Sequence, residues 1–168
     1  MPLAAFDSTF LALLTDGHTA APVPPPGTQD TARDRLDYLL DTLDDERTGI
    51  VVPTPVLAEL MSFERVNPEA ALNMLKGLTR IRIEPFGERA AVECALMLRR
   101  TGRGTGPKTK VKFDHQIVAI AKAVGADVVY SDDQGVQALC KRESLQCFGV
   151  WDLPPRPIDP QTSMEFEP

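Results

Sequence analysis

Apolar and polar positions alternate in blocks along this chain, and the spacing inside each block predicts an element. The run LAAF stops at Asp7 and reads as a strand, and STFLALL after it reads as a helix. HTAAPVPPPGTQ cannot hold regular structure, because its prolines lack backbone donors and fix φ, so residues 17–31 read as a loop insertion. In ARDRLDYLLDTLDDE, Leu36, Leu39, Leu40 and Leu43 recur at helical spacing with acids opposite, a stripe expected in the core. GIVVP is a short buried strand. TPVLAELMSFERV follows as a helix with Thr54 as N-cap and Pro55 in the first position, where proline is tolerated. PEAALNMLKGL is a further helix, IRIEPF a strand, and GERAAVECALMLRRTG a helix closed by Gly102. The helix in FDHQIVAIAKAVG starts at Asp114, carries Ile117, Ile120, Ala121 and Val124 on one face, and ends at Gly125. His115 points about 100° around from Asp114, toward solvent. ADVVYSDD is a strand ending in acids and QGVQALCKRES a helix. LQCFGVWDL is a last strand, with Phe148 and Trp151 expected as core or dimer-interface aromatics.

Strands alternating with helices imply an α/β fold with helices on both faces of a mainly parallel sheet of four to five strands. One domain over residues 1–152 with a Pro-rich, mobile tail over 153–168 accounts for the whole chain. No apolar run approaches the roughly 20 residues that span a bilayer. The N-terminus lacks the basic start of a signal peptide, and Asp7 interrupts its apolar run. Cys94, Cys140 and Cys147 are odd in number and lack metal spacing, so reduced, mostly buried thiols in a cytoplasm are expected.

The net charge of −6 is not that of a general nucleic-acid binder, but its distribution is uneven. RRTGRGTGPKTKVK holds Arg99, Arg100, Arg103, Lys108, Lys110 and Lys112 with no acid among them, and runs directly into Asp114. Such a basic loop is either a solvated connection or a path for a phosphate backbone.

Four places carry a carboxylate where the pattern calls for something apolar or neutral. Asp7 ends the first strand, Glu59 edges the apolar face of its helix, Asp114 heads its helix, and Asp132 and Asp133 end DVVYS. In open α/β sheets, binding sites lie beyond the carboxyl ends of strands, and all of these positions fall on that rim. Each has a local alternative: Asp114 as an N-cap, Asp7 as a cap for the next helix, Glu59 as a solvated flank, and Asp132 and Asp133 as turn residues. If they converge, like charges raise one another's pKa and a divalent cation relieves the repulsion. Hard oxygen donors suit Mg²⁺ or Mn²⁺, and no His/Cys set exists for zinc. One or two such ions, ~4 Å apart when paired, activate water toward phosphorus.

The order of these segments resembles the PIN-domain family over roughly Leu3 to Trp151. FDST looks like its first motif, an Asp ending the first strand followed by the small hydroxyl residues Ser8 and Thr9. PTPVLAEL looks like the second, with Glu59 its acid, and FDHQIVAIAKAVGADVV like the third, with Asp114. VVYSDD looks like the fourth, making Ser131 and Asp133 the counterparts and placing Asp132 where Asn is frequent. The resemblance implies a Mg²⁺- or Mn²⁺-dependent nuclease acting on RNA, with Asp7, Glu59, Asp114 and Asp133 holding the metal and Ser8 and Ser131 orienting them. Asp132 is a possible further ligand. Compact chains of this kind are similar to VapC-like toxins, which implies a homodimer held inactive by an antitoxin protein. The chain departs from the family after the fourth motif, where many members carry an acid and an aromatic and this one has Gly135 and Val136. A catalytically silent PIN-like module that binds RNA or protein is the other reading. A receiver-type or aspartyl-phosphate site is disfavoured, because no partner acid follows Asp7 closely and no lysine occupies a late strand end.

Overall fold

The computed structural model describes residues 1–15, 19–64, 66–101 and 108–157, with residues 101 and 108–111 by backbone alone. Five strands form one sheet: β1 (Leu3–Phe6), β2 (Gly49–Pro53), β3 (Ile81–Glu84), β4 (Val128–Tyr130) and β5 (Gln146–Phe148). Their order is β3-β2-β1-β4-β5, and every pairing is parallel. The sheet is therefore wholly parallel with five strands. At its centre, Ala5 stands opposite Val51 on one side and Val129 on the other.

Among the described residues, seven helices link the strands: α1 (Ser8–Thr15), α2 (Ala32–Asp45), α3 (Thr54–Met61), α4 (Pro68–Gly77), α5 (Glu88–Thr101), α6 (Lys108–Val124) and α7 (Gln134–Arg142). Side chains alternate across a strand, so each strand feeds two cores. Ala4, Phe6, Ile50 and Val52 pack with Phe10, Leu36, Leu39, Leu43, Val56 and Leu60 from α1, α2 and α3. Ala5, Val51 and Val129 pack with Met97 of α5, Val118 to Ala121 of α6, and Val136 and Leu139 of α7. The result is three layers, α/β/α.

Several boundaries differ from the pattern-based expectation. Pro53 is the N-cap of α3, so Thr54 is its first residue, and its hydroxyl accepts from Phe86 N at 3.3 Å. The helix stops at Met61 instead of running on to Val66, and Ser62 Oγ donates back to Glu59 O at 2.7 Å. The last strand ends at Phe148, beyond which a 3-10 turn spans Val150–Asp152. α6 begins at Lys108, not at Asp114, so Lys108, Lys110 and Lys112 are helical and Asp114 lies nearly two turns inside. His115 is buried, not solvent-facing, at 3% exposure. Residues 118 to 121 are all fully buried, because α5, α7 and the sheet cover α6 on all sides.

The insertion has neither helix nor strand over its described residues, yet it is anchored. Trp151 Nε1 donates to Pro22 O at 2.9 Å, and Arg35 clasps Asp30 at 2.6 and 3.2 Å while stacking on the Trp151 ring at 5.1 Å. The start of the tail also packs: Arg35 donates to Leu153 O at 2.8 Å and Arg156 pairs with Asp41 at 2.5 Å. The expected mobility of the remainder, from residue 158 on, lies outside the described residues. Cys140 is buried, Cys94 and Cys147 are half-buried, and all three are free thiols. Trp151 is half-buried and Phe148 is 39% exposed, so only the former joins the core edge. Among the described residues no helix is long and apolar enough to cross a membrane.

Candidate active site

β1 ends because the next residue is charged, and that residue, Asp7, is 1% exposed. Burial of a carboxylate is tolerated only where its oxygens find donors. Asp7 Oδ1 accepts from Thr9 N at 2.9 Å, Thr9 Oγ1 at 2.6 Å and Phe10 N at 3.2 Å, which caps the start of α1. Oδ2 accepts from Ser131 Oγ. Asp7 N donates to Tyr130 O at 3.1 Å, tying the ends of β1 and β4 together. Burial outweighs these hydrogen bonds and pushes the Asp7 carboxyl up to about 6.

Ser131, fully buried at the end of β4, also accepts from Asp133 N at 3.0 Å. One hydroxyl thus locks Asp7 and Asp133 into fixed relation. Asp133 caps α7, with Oδ1 accepting from Gly135 N at 2.7 Å and Val136 N at 3.2 Å. Asp132 turns elsewhere: Oδ1 accepts from Val150 N at 2.8 Å, and Oδ2 is buried without a hydrogen-bond partner among the described residues. Burial raises its pKa. Its backbone N–H donates to Thr9 Oγ1 at 3.0 Å, so Thr9 bridges the two motifs.

Asp114 comes to the same rim from α6 and is 9% exposed, while Glu59 reaches it from α3 and is exposed. Asp7, Glu59, Asp114 and Asp133 line one cleft of about 460 Å³, together with Ser8 and Phe113. Asp132 is not on its wall. Gly135 explains why the chain lacks a larger residue there. A Cβ at this position would overlap Asp114 Oδ2 and lie 3.0 Å from Asp133 Oδ1 and 3.3 Å from Asp114 Cγ. The two carboxylates press on one point of backbone, which also places them side by side.

The donor set on the cleft wall is entirely hard oxygen, and Asp7, whose carboxyl is raised by burial, is a group that a divalent cation would hold ionised. Among the described residues no group of three His, Cys, Asp or Glu side chains is placed to hold a metal ion on its own. An ion such as Mg²⁺, which takes one or two carboxylates and keeps several waters, would bind here through part of the set directly and the rest through water.

The basic segment divides. Arg100 pairs with Glu143 at 2.6 Å, and Glu143 also holds Lys122 at 2.6 Å. Glu143 follows the far end of α7, about 15 Å along the helix from Asp133. Arg99 and Lys112 are exposed, and Lys112 lies two residues from Asp114. Arg103 and the side chains of Lys108 and Lys110 lie outside the described residues. The pattern did not single out Phe113 or Ser62, and it marked Gly135 only as a departure from the family motif. Their roles depend on which elements meet at the cleft.

The fold is a PIN-like three-layer α/β/α arrangement. The solved structures it resembles include bacterial VapBC and VapC proteins. VapBC2 from Rickettsia felis, bound to a DNA fragment from its promoter, matches with a TM-score of 0.57 at 17% identity, over 88% of this chain and 98% of that one. DNA-bound VapBC from Salmonella typhimurium matches at 0.56 and 15%, over 89% and 99%. VapC20 of Mycobacterium tuberculosis, a toxin that cleaves the sarcin–ricin loop, matches at 0.55 and 16%, over 80% and 93%. At these identities the likeness is one of fold. No family model and no curated protein matches the sequence.

Proposed function

We propose that this chain is a Mg²⁺- or Mn²⁺-dependent endoribonuclease and the toxin of a toxin–antitoxin pair. The observation that carries the reading is the convergence of Asp7, Glu59, Asp114 and Asp133 on one cleft at the sheet's carboxyl rim. Two helices, α3 and α6, and the ends of two strands, β1 and β4, bring them there, at the cost of burying Asp7. Asp7, Asp114 and Asp133 would hold the ion, directly or through water, with Glu59 at the cleft's open side. When bound, the ion supplies an activated water and neutralises charge on the scissile phosphate. Ser131 keeps Asp7 and Asp133 in register, and Thr9 and the α1 amides hold Asp7 ionisable in a dry position. Lys112, exposed and two residues from Asp114, is a cation that would meet an RNA backbone. The VapBC neighbours support a protein antitoxin as partner, and a homodimer in the cytoplasm belongs to the same reading.

The test is metal-dependent cleavage of total cellular RNA by the wild type and by Asp114→Asn. The variant is expected to lose cleavage while keeping its melting temperature within a few degrees. Full activity in Asp114→Asn would sink the mechanism. The absence of a ready three-ligand set favours, as a second reading, a silent PIN-like module that binds RNA or protein. It differs in one measurable respect: Mg²⁺ or Mn²⁺ would leave its melting temperature unchanged.

A further inference from the structure

The acid cleft does not end at Glu59. A second cavity of about 220 Å³ shares Ser8 and Glu59 with it, so the two are lobes of one groove. Consecutive residues divide between them: Ser62 lines the acid lobe and Phe63, 39% exposed, lines the second. The second lobe is mostly apolar, with Ala12, Leu13, Pro22 and Phe63 on its wall, and the only charged residues lining it are Glu59 and Asp132. It therefore repels a phosphate and suits a flat, uncharged group attached to one. Its volume falls below the ~300–1,000 Å³ of pockets for drug-sized molecules, which matches a single ring system.

One wall of this lobe is built by the insertion, through Thr19, Ala20 and Pro22. That wall is preformed, because Trp151 holds Pro22 O and Arg35 holds Asp30, as described above. A rigid wall opposite an exposed aromatic, next to a site for a phosphodiester, is a stacking slot.

The geometry points to a nucleobase subsite: the lobe between Phe63 and the 19–22 segment receives one unstacked base of the RNA strand, adjacent to the scissile phosphate. This rests on the nuclease reading and adds the substrate class to it. The strand is expected to be single-stranded at that position, since a paired base would first have to be unstacked and flipped out of its duplex.

The experiment uses the full chain with short single-stranded RNA oligonucleotides containing the mapped cut, with one abasic nucleotide stepped through the neighbouring positions. At one position the abasic substitution is expected to lower wild-type kcat/KM about ten-fold or more, the loss of one base–aromatic stack. Phe63→Ala should show the same loss on the intact oligonucleotide, mainly through KM, and no further loss at that abasic position. Phe63→Tyr should restore the wild-type value. Ala20→Trp, which fills the slot from an exposed loop position, should reproduce the Phe63→Ala defect without altering the melting temperature. Wild-type cleavage that is insensitive to Phe63→Ala and Ala20→Trp, or defects independent of the abasic position, would overturn the subsite alone. Absence of metal-dependent cleavage by the wild type would overturn the nuclease reading and the subsite with it.

Discussion

Asp7→Asn should make this protein more stable at neutral pH while removing its activity. Asp7 is buried, and its carboxyl is raised from 3.8 to about 6, principally by loss of solvent. In the folded state its proton is therefore held more tightly than in the unfolded chain. The ionised form contributes no stability of its own. Relative to its protonated form, stability is fully present below about pH 4 and is lost progressively as pH rises through 6. A rise of about two units corresponds to about 3 kcal/mol at pH 7. Asparagine keeps the acceptor that Thr9 N, Thr9 Oγ1 and Phe10 N address, and its amide can donate to Ser131 Oγ in place of Oδ2. The variant should then gain up to about 3 kcal/mol over the wild type at pH 7 in chelator, with the gain shrinking toward zero near pH 4. Urea unfolding of both proteins between pH 4.5 and 8 measures it. Added Mg²⁺ should close the gap by stabilising only the wild type. If Asp7→Asn is less stable at pH 7 in chelator, or its advantage does not change with pH, the account of Asp7 as a strained, solvent-starved carboxylate is wrong.

Gly135→Ala tests the crowding of Asp114 and Asp133. The new methyl displaces the Asp114 carboxylate, so cleavage should fall about a hundred-fold for a shift near 1 Å. Stability should change by no more than about 1 kcal/mol, because alanine's helix propensity offsets the off-rotamer carboxylate. Unchanged single-turnover rates would exclude that arrangement. Trp151→Phe removes the bond to Pro22 O, worth about 1 kcal/mol, and should expose the insertion to limited proteolysis without altering the metal-dependent melting shift. Glu143→Ala leaves Arg100 and Lys122 without their shared partner and should lower stability by about 1–3 kcal/mol. Because Arg100 is half-exposed, high salt should shrink that difference, and cleavage should be unaffected.

The basic segment and the third motif show how far patterns reach. The run from Arg99 to Lys112 read as a loop because it has glycine at 102, 104 and 106 and little apolar periodicity. The second half of it is nevertheless the start of α6. Apolar periodicity marks where a helix packs, not where it begins, and KTKVK at the start of α6 offers a single apolar residue to mark it. His115 misled for a related reason. Spacing relates a residue to its own helix and says nothing about which neighbour covers the other face. Here α5 lies along α6 and takes away the solvent that the pattern allowed.

The sequence alone determined the order of strands and helices and the positions of Asp7 and Asp133. Each of these acids interrupts an apolar run, and the end of such a run in an α/β chain is the carboxyl rim of the sheet. It also determined that Asp114, at the head of an apolar face, would be costly without a partner. The tertiary structure alone decided which acids share a cleft. It turned Asp132 toward Val150, set Asp114 against the one residue that has no Cβ to obstruct it, and tethered Arg100 at the far end of α7. It also made the insertion into a wall beside the site by pinning Pro22 to Trp151, more than a hundred residues away in the chain. Side-chain direction at a strand end depends on which hydroxyls and amides happen to face it, and those come from elements distant in sequence.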